Sequence, residues 1–146
     1  MKCWLGVDPG KHGAIACITA AGDLRVLKHL GEYGDEILIG WLLQLLQDGL
    51  APTRTVIEKV HATPQMGVCS AFTFGKEFGR VCFLVAAAGI AYELVTPQKW
   101  QKTLGCMTGG DKNLTKQFAL SLFPNHKATH ADSDAICIAE YARRTE

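Results

Sequence analysis

Four acidic side chains stand where acids are unexpected. Asp8 ends the apolar run Cys3-Trp4-Leu5-Gly6-Val7 and is followed at once by Pro9-Gly10. Glu58 closes a β-branched run, Thr55-Val56-Ile57. Asp132 and Asp134 lie at the start of "HADSDAICIA", just ahead of apolar residues, with His130 before them. Each acid alone has a plain structural explanation. Asp8 is a turn former beside Pro and Gly, Glu58 flanks a strand, and Asp132 and Asp134 suit a helix N-terminus. Jointly they suggest chemistry. In an open α/β sheet the crevice lies at the carboxyl ends of the strands, where Asp8 and Glu58 would meet if their strands were neighbours. The apolar run after Asp134 must pack on the sheet, so its carboxylate can project toward the same end. Converging acids repel and raise one another's pKa values unless a cation compensates. An all-oxygen set suits Mg²⁺ or Mn²⁺ rather than zinc. Two such ions about 4 Å apart are one arrangement that hydrolyses phosphodiesters.

The elements that must hold these acids are readable from periodicity. "CWLGVD" and "GAIACITA" predict a hairpin, and Gly22-Asp23 leads to a third strand, "LRVLKHL". "GDEILIGWLLQLLQDG" has helical spacing, with Asp35 near its start and Gly49 as its stop. "RTVIEKV" is a fourth strand, a helix with small residues runs from about Cys69 to Ala88, and "AYELVTP" is a fifth strand. "KNLTKQFALSLF" and "DSDAICIAEYARR" are helices, the latter ending on Arg143-Arg144 as the helix dipole favours. The order β-β-β-α-β-α-β-α-α predicts an α/β fold: a five-stranded mixed sheet with helices on both faces and the first and fourth strands parallel at its centre.

Length and composition set the bounds. A chain of 146 residues is expected to form a single domain, 1–146, with enough core to fold unaided. Hydrophobic residues make up 48% and charged residues 20%, an ordinary globular composition. No secretory signal is visible, and the longest apolar run, Val81 to Tyr92, is short of the ~18 residues of a membrane span. No membrane association and a cytoplasmic location are therefore expected. The six cysteines form no CxxC pair and read as buried free thiols in a reducing compartment. There is no P-loop and no GxSxG elbow, and His126 and His130 lack the Cys pair of a zinc finger. Net charge is only +1, yet Val95 to His130 holds Lys99, Lys102, Lys112, Lys116 and Lys127 against Asp111 alone. That segment reads either as a solvated face or as a local phosphate-binding wall.

These residues resemble a known family, the RuvC-type Holliday-junction resolvases among the RNase H-like nucleases. "GVDPG" resembles its opening strand, "IEKV" its fourth strand, and "SAFTFGKEFGRV" the helix that follows. "TPQKWQKTLG" with "GGDKNLTKQ" resembles its lysine segment and Gly-rich loop, and "ADSDAICIAEYA" its last helix. The resemblance implies a homodimer that resolves four-way junction DNA by paired nicks, using two Mg²⁺ (or Mn²⁺) ions and no small-molecule cofactor. It places metal binding and catalysis on Asp8, Glu58 and Asp134, and Lys102 and Lys112 near the scissile phosphate. Ala131 occupies the family's fourth-ligand position, so Asp132 or His130 takes that role, with Asp132 preferred as an oxygen ligand. DNA contacts are expected from Lys11, His61, Lys99, Lys102, Lys112 and Lys116, His61 standing where the family carries an aromatic wedge. Phe72, Phe74, Phe78 and Phe83, with Gly75 and Gly79, mark the expected dimer helix. The alternatives weighed are a YqgF-type RNA nuclease, a catalytically idle junction-binding dimer, and a sugar-kinase or actin-like ATPase. The last needs two lobes where this chain holds one.

Overall fold

The computed structural model describes residues 1–146. Five strands run in the order β3-β2-β1-β4-β5, with β1 Cys3–Asp8, β2 Ala14–Thr19, β3 Leu24–Lys28, β4 Pro52–Glu58 and β5 Glu93–Val95. β1 pairs antiparallel with β2 and parallel with β4, which pairs parallel with β5. The sheet is thus mixed, with β1 and β4 adjacent in its centre, as the sequence predicts. Five α-helices complete the fold: α1 Asp35–Gln47, α2 Val68–Ala87, α3 Pro97–Leu104, α4 Asn113–Leu122 and α5 His130–Arg144.

Strand parity decides which side chains meet which helices. Side chains alternate across a strand. On β1, Leu5 and Val7 enter the core beneath α1 and α2, with Ile15 and Cys17 of β2 and Ile57 of β4. Trp4 faces the opposite core with Ala14, Ala16, Val56, Trp100 and the buried side of α5. By the same parity Gly6 and Asp8 follow Trp4, and Glu58 follows Val56. Both strand-end acids therefore lie on the α5 face of the sheet.

Small residues let α5 sit directly on that face. A Cβ at Gly6 would overlap the backbone of Ala135, Ile138 and Ala139, so only glycine admits this approach. Ala14 and Ala16 keep β2 low beside it. Ile136 and Ile138 are fully buried, and such burial contributes about 2 kcal/mol per side chain. Two like charges about 4 Å apart cost about 4 kcal/mol at an effective dielectric near 20. The many apolar side chains of α5 and its neighbours outweigh that, so an acid in the first turn is held at the strand ends despite repulsion.

Two differences from the sequence reading concern boundaries. The segment Pro97–Leu104 is a helix, absent from the expected element order; Thr96 caps it by accepting the Lys99 N–H, and Pro97 occupies its first turn. α5 begins at His130 rather than Asp132. No helix is long and apolar enough to cross a membrane.

Candidate metal centre and cleft

Asp8, Glu58 and Asp134 come together at the carboxyl ends of β1 and β4. The register pairs Val7 with Ile57, which sets Asp8 beside Glu58 on neighbouring strands. Asp134 reaches them from the first turns of α5, one residue before the Ala135 that packs on Gly6. A cleft of about 500 Å³ opens beside Asp8 and Asp134, and Lys11, His12, Lys112 and His130 are also on its walls.

All three carboxyls are pushed above their usual range. Burial moves Asp8 well up, and repulsion from Glu58 and Asp134 adds to it, while Lys112 offsets part. Burial takes Glu58 up to about 7, opposed by the Trp100 N–H and reinforced by Asp134. Asp134 is raised by burial, with the Thr115 hydroxyl, Lys112 and His130 offsetting part of it. None of the three has a salt bridge, whereas the buried Glu140 is paired with Arg143 and Arg144 and Asp132 with Lys28. Three half-buried, unpaired carboxylates form an oxygen donor set that fits a hard divalent cation. Free of a cation, the cluster is relieved only by taking up protons.

Trp100 is a positioning residue that the sequence reading did not single out. Its indole is fully buried and its Nε1–H donates to Glu58 Oε2 at 2.8 Å. A buried Trp needs a partner for that N–H, and here the partner fixes one oxygen of the carboxylate. The Thr-Pro start of α3 was the available signal, since it turns Trp100 inward from a short helix.

Asp132 does not join the cluster, which corrects its expected role as fourth ligand. It is Asp132 that completes the capping box of α5. Its Oδ1 accepts the Thr129 N–H at 2.6 Å and the Thr129 hydroxyl at 3.2 Å. Oδ2 meets His126 Nε2 at 2.8 Å and Lys28 Nζ at 3.1 Å. Burial acts to raise its pKa, but His126, the Thr129 N–H and Lys28 outweigh it and hold the carboxyl below its usual range. Both oxygens are committed inside the protein. His130, the other candidate, does line the cleft.

The lysines divide in the same way. Lys112 and Lys11 line the cleft. Lys102, expected near the scissile phosphate, does not: it follows Trp100 by two residues, about 200° around the helix. With Trp100 turned in toward Glu58, Lys102 is turned out and exposed, on the side of Lys99. Lys116 of α4 and the exposed His61, in the loop after β4, are also off the cleft walls.

No family model matches this chain, and no curated protein matches it. Solved structures do share its architecture. Thermus thermophilus RuvC in complex with a Holliday junction substrate superposes with a TM-score of 0.64 at 16% identity, covering 99% of this chain and 96% of that one. Thermus thermophilus RuvC alone gives 0.58 at 18% identity, covering 97% and 95%. The chain therefore has the RuvC-type, RNase H-like fold over nearly its whole length.

Proposed function

We propose that this chain is a metal-dependent, structure-selective DNA endonuclease that cuts four-way junctions by paired nicks. The observation that carries the reading is the meeting of Asp8, Glu58 and Asp134, unpaired and half-buried, at the sheet's carboxyl edge, with Asp8 and Asp134 lining an open cleft. The fold shared with a protein solved on a Holliday junction supports the substrate class. Asp8, Glu58 and Asp134 would hold two divalent ions, Mg²⁺ or Mn²⁺, which when bound would supply water activation and charge stabilisation at the scissile phosphate. Asp8 and Glu58 fix the donor positions from the rigid strand ends. Asp134 completes the set from α5. Trp100 orients Glu58, and Lys112 offers a cation to a phosphate entering beside Asp8. His130 takes the fourth position on the wall, suited to contact or proton transfer at a phosphate oxygen.

Paired nicking needs two sites, and α2 carries the surface for a second copy. Val68, Phe72 and Phe83 are 86%, 74% and 70% exposed. Phe72, Gly75, Gly79 and Phe83 recur at helical spacing along one stripe, with open space above both glycines. Two-fold pairing of this stripe would present two clefts to the two-fold symmetric junction.

The test is incubation with a synthetic four-way junction, a linear duplex and an RNA–DNA hybrid, with and without Mg²⁺. Mg²⁺-dependent, symmetric nicks in the junction alone are expected. Preferential cutting of the hybrid would replace this reading with an RNA-directed one. Tight junction binding without cleavage would leave a binding dimer.

A further inference from the structure

A second group of ligating side chains, two of which line the cleft, shares no residue with the carboxylate cluster. His12 lies in the β1–β2 turn, His29 just after β3, and Glu32 in the 3-10 turn Leu30–Glu32. One ligating atom from each falls within 4.8 Å of the other two. From this geometry we infer that His12, His29 and Glu32 form an additional metal site, one that takes a divalent ion of the zinc class.

The backbone brings these residues together independently of any ion. The Leu30 N–H donates to Gly13 O at 3.2 Å and the Gly31 N–H to Lys11 O at 3.0 Å. A Cβ at Gly31 would overlap Lys11, so the segment after β3 lies flat on the β1–β2 turn. His29 is the one non-glycine residue with positive φ, at φ 57° and ψ 53°. Histidine enters that region more readily than most residues, but the conformation is uncommon and points to a constraint. It also has a buried Nδ1 with no hydrogen-bond partner. A buried, unpaired ring nitrogen is unfavourable, and a bound cation would remove that cost by ligation or by fixing the tautomer.

The donor set separates this site from its neighbour. Two imidazoles and one carboxylate suit zinc and related transition ions, whereas all-oxygen sets suit Mg²⁺ and Mn²⁺. Ligating atoms in a zinc site lie about 3.3 Å apart, given bonds near 2.0 Å. The ligating atoms need to close from 4.8 Å or less, and His12 and Glu32 are exposed, with room for their side chains to turn. Three protein ligands leave a fourth position. His12 and His29 both line the cleft, so that position is available to water or to a phosphate oxygen entering beside Asp8.

Zinc titration tests the site without reference to cleavage. The protein carries Asp8→Asn and Asp134→Asn, which disable the carboxylate cluster, and Cys69→Ser, which removes the exposed thiol. Excess Mg²⁺ is present throughout. One equivalent of Zn²⁺ should bind, and His12→Asn, His29→Asn and Glu32→Gln should each weaken it at least ~10-fold, as loss of even an outer-shell partner does. Asn tolerates the left-handed backbone of His29, and circular dichroism checks that each variant is folded. Co²⁺ in place of Zn²⁺ should give a visible spectrum without a thiolate charge-transfer band. Unchanged Zn²⁺ affinity in the three variants, no saturable binding, or a thiolate band would overturn the assignment. Because the background cannot cut DNA, the site stands or falls separately from the junction-cleavage reading.

Discussion

Asp132 and Asp134 belong to the same helix, two residues apart, and the fold shifts their carboxyls in opposite directions. Around Asp132 the chain gathers Lys28, His126 and the Thr129 N–H, and the carboxyl is held below its usual range. Around Asp134 burial outweighs Lys112 and His130, and it, Asp8 and Glu58 are all raised. The two side chains leave the helix about 200° apart, one into the body of the protein and one toward the cleft. Folding stabilises the first charge and opposes the second. A charge the fold opposes is one that a bound cation would compensate.

Substitution should separate the two acids most sharply. Asp8→Asn, Glu58→Gln and Asp134→Asn are each expected to lower single-turnover junction cleavage at least ~100-fold, with junction binding retained. Metal-free thermal stability should hold or rise, because repulsion is relieved. Asp132→Ala should do the reverse. It leaves Lys28 and His126 facing a buried gap and removes the cap, a loss of about 3 kcal/mol in urea denaturation. Cleavage by the fraction that remains folded should be near normal, while His130→Ala should cut cleavage without changing stability.

The pH dependence of stability gives the next contrast. Burial raises Glu58 to about 7 in the folded protein, from an ordinary value of 4.5. Its stabilising contribution is therefore complete below about 4.5 and lost as pH rises through 7. The metal-free protein should melt several degrees lower at pH 8 than at pH 5, Glu58→Gln should flatten the difference, and Mg²⁺ should restore stability at pH 8. Asp132, with its lowered pKa, contributes above its unfolded value of 3.8 and loses that contribution only in stronger acid. The smallest effect concerns orientation. Trp100→Phe removes one hydrogen bond to a carboxylate, about 1.5 kcal/mol, so half-maximal cleavage should need roughly tenfold more Mg²⁺.

The strands and the parity of their side chains were legible in the sequence because alternation and helical spacing are strong over β1, β2, β4 and α5. The meeting of Asp8, Glu58 and Asp134 followed from those elements. What the sequence reading lost came from one boundary and one short helix. Starting the last helix at Asp132 made both aspartates look like end residues free to turn outward. Thr129-His130-Ala131-Asp132 is a capping-box spacing, and read as such it gives Asp132 a structural task and moves the start to His130. α3 is only eight residues long and mostly polar, so no apolar period announced it. Without it neither the inward Trp100 nor the outward Lys102 could be placed. The approach of His12, His29 and Glu32 depends on backbone contacts between two turns, for which a single sequence carries no periodic signal.

The seating of α5 on Gly6 bears on how the cleft comes into being during folding. Asp8 belongs to the first strand and Asp134 to the last helix, so no local segment holds both. Their meeting closes a loop that spans most of the chain, a contact of high sequence separation and correspondingly late formation. A chain whose α5 has detached loses the carboxylate cluster in the same event. Hydrogen exchange at Ala135 to Ala139 should then report cleft assembly itself, since the opening that exposes those amides dissolves the site.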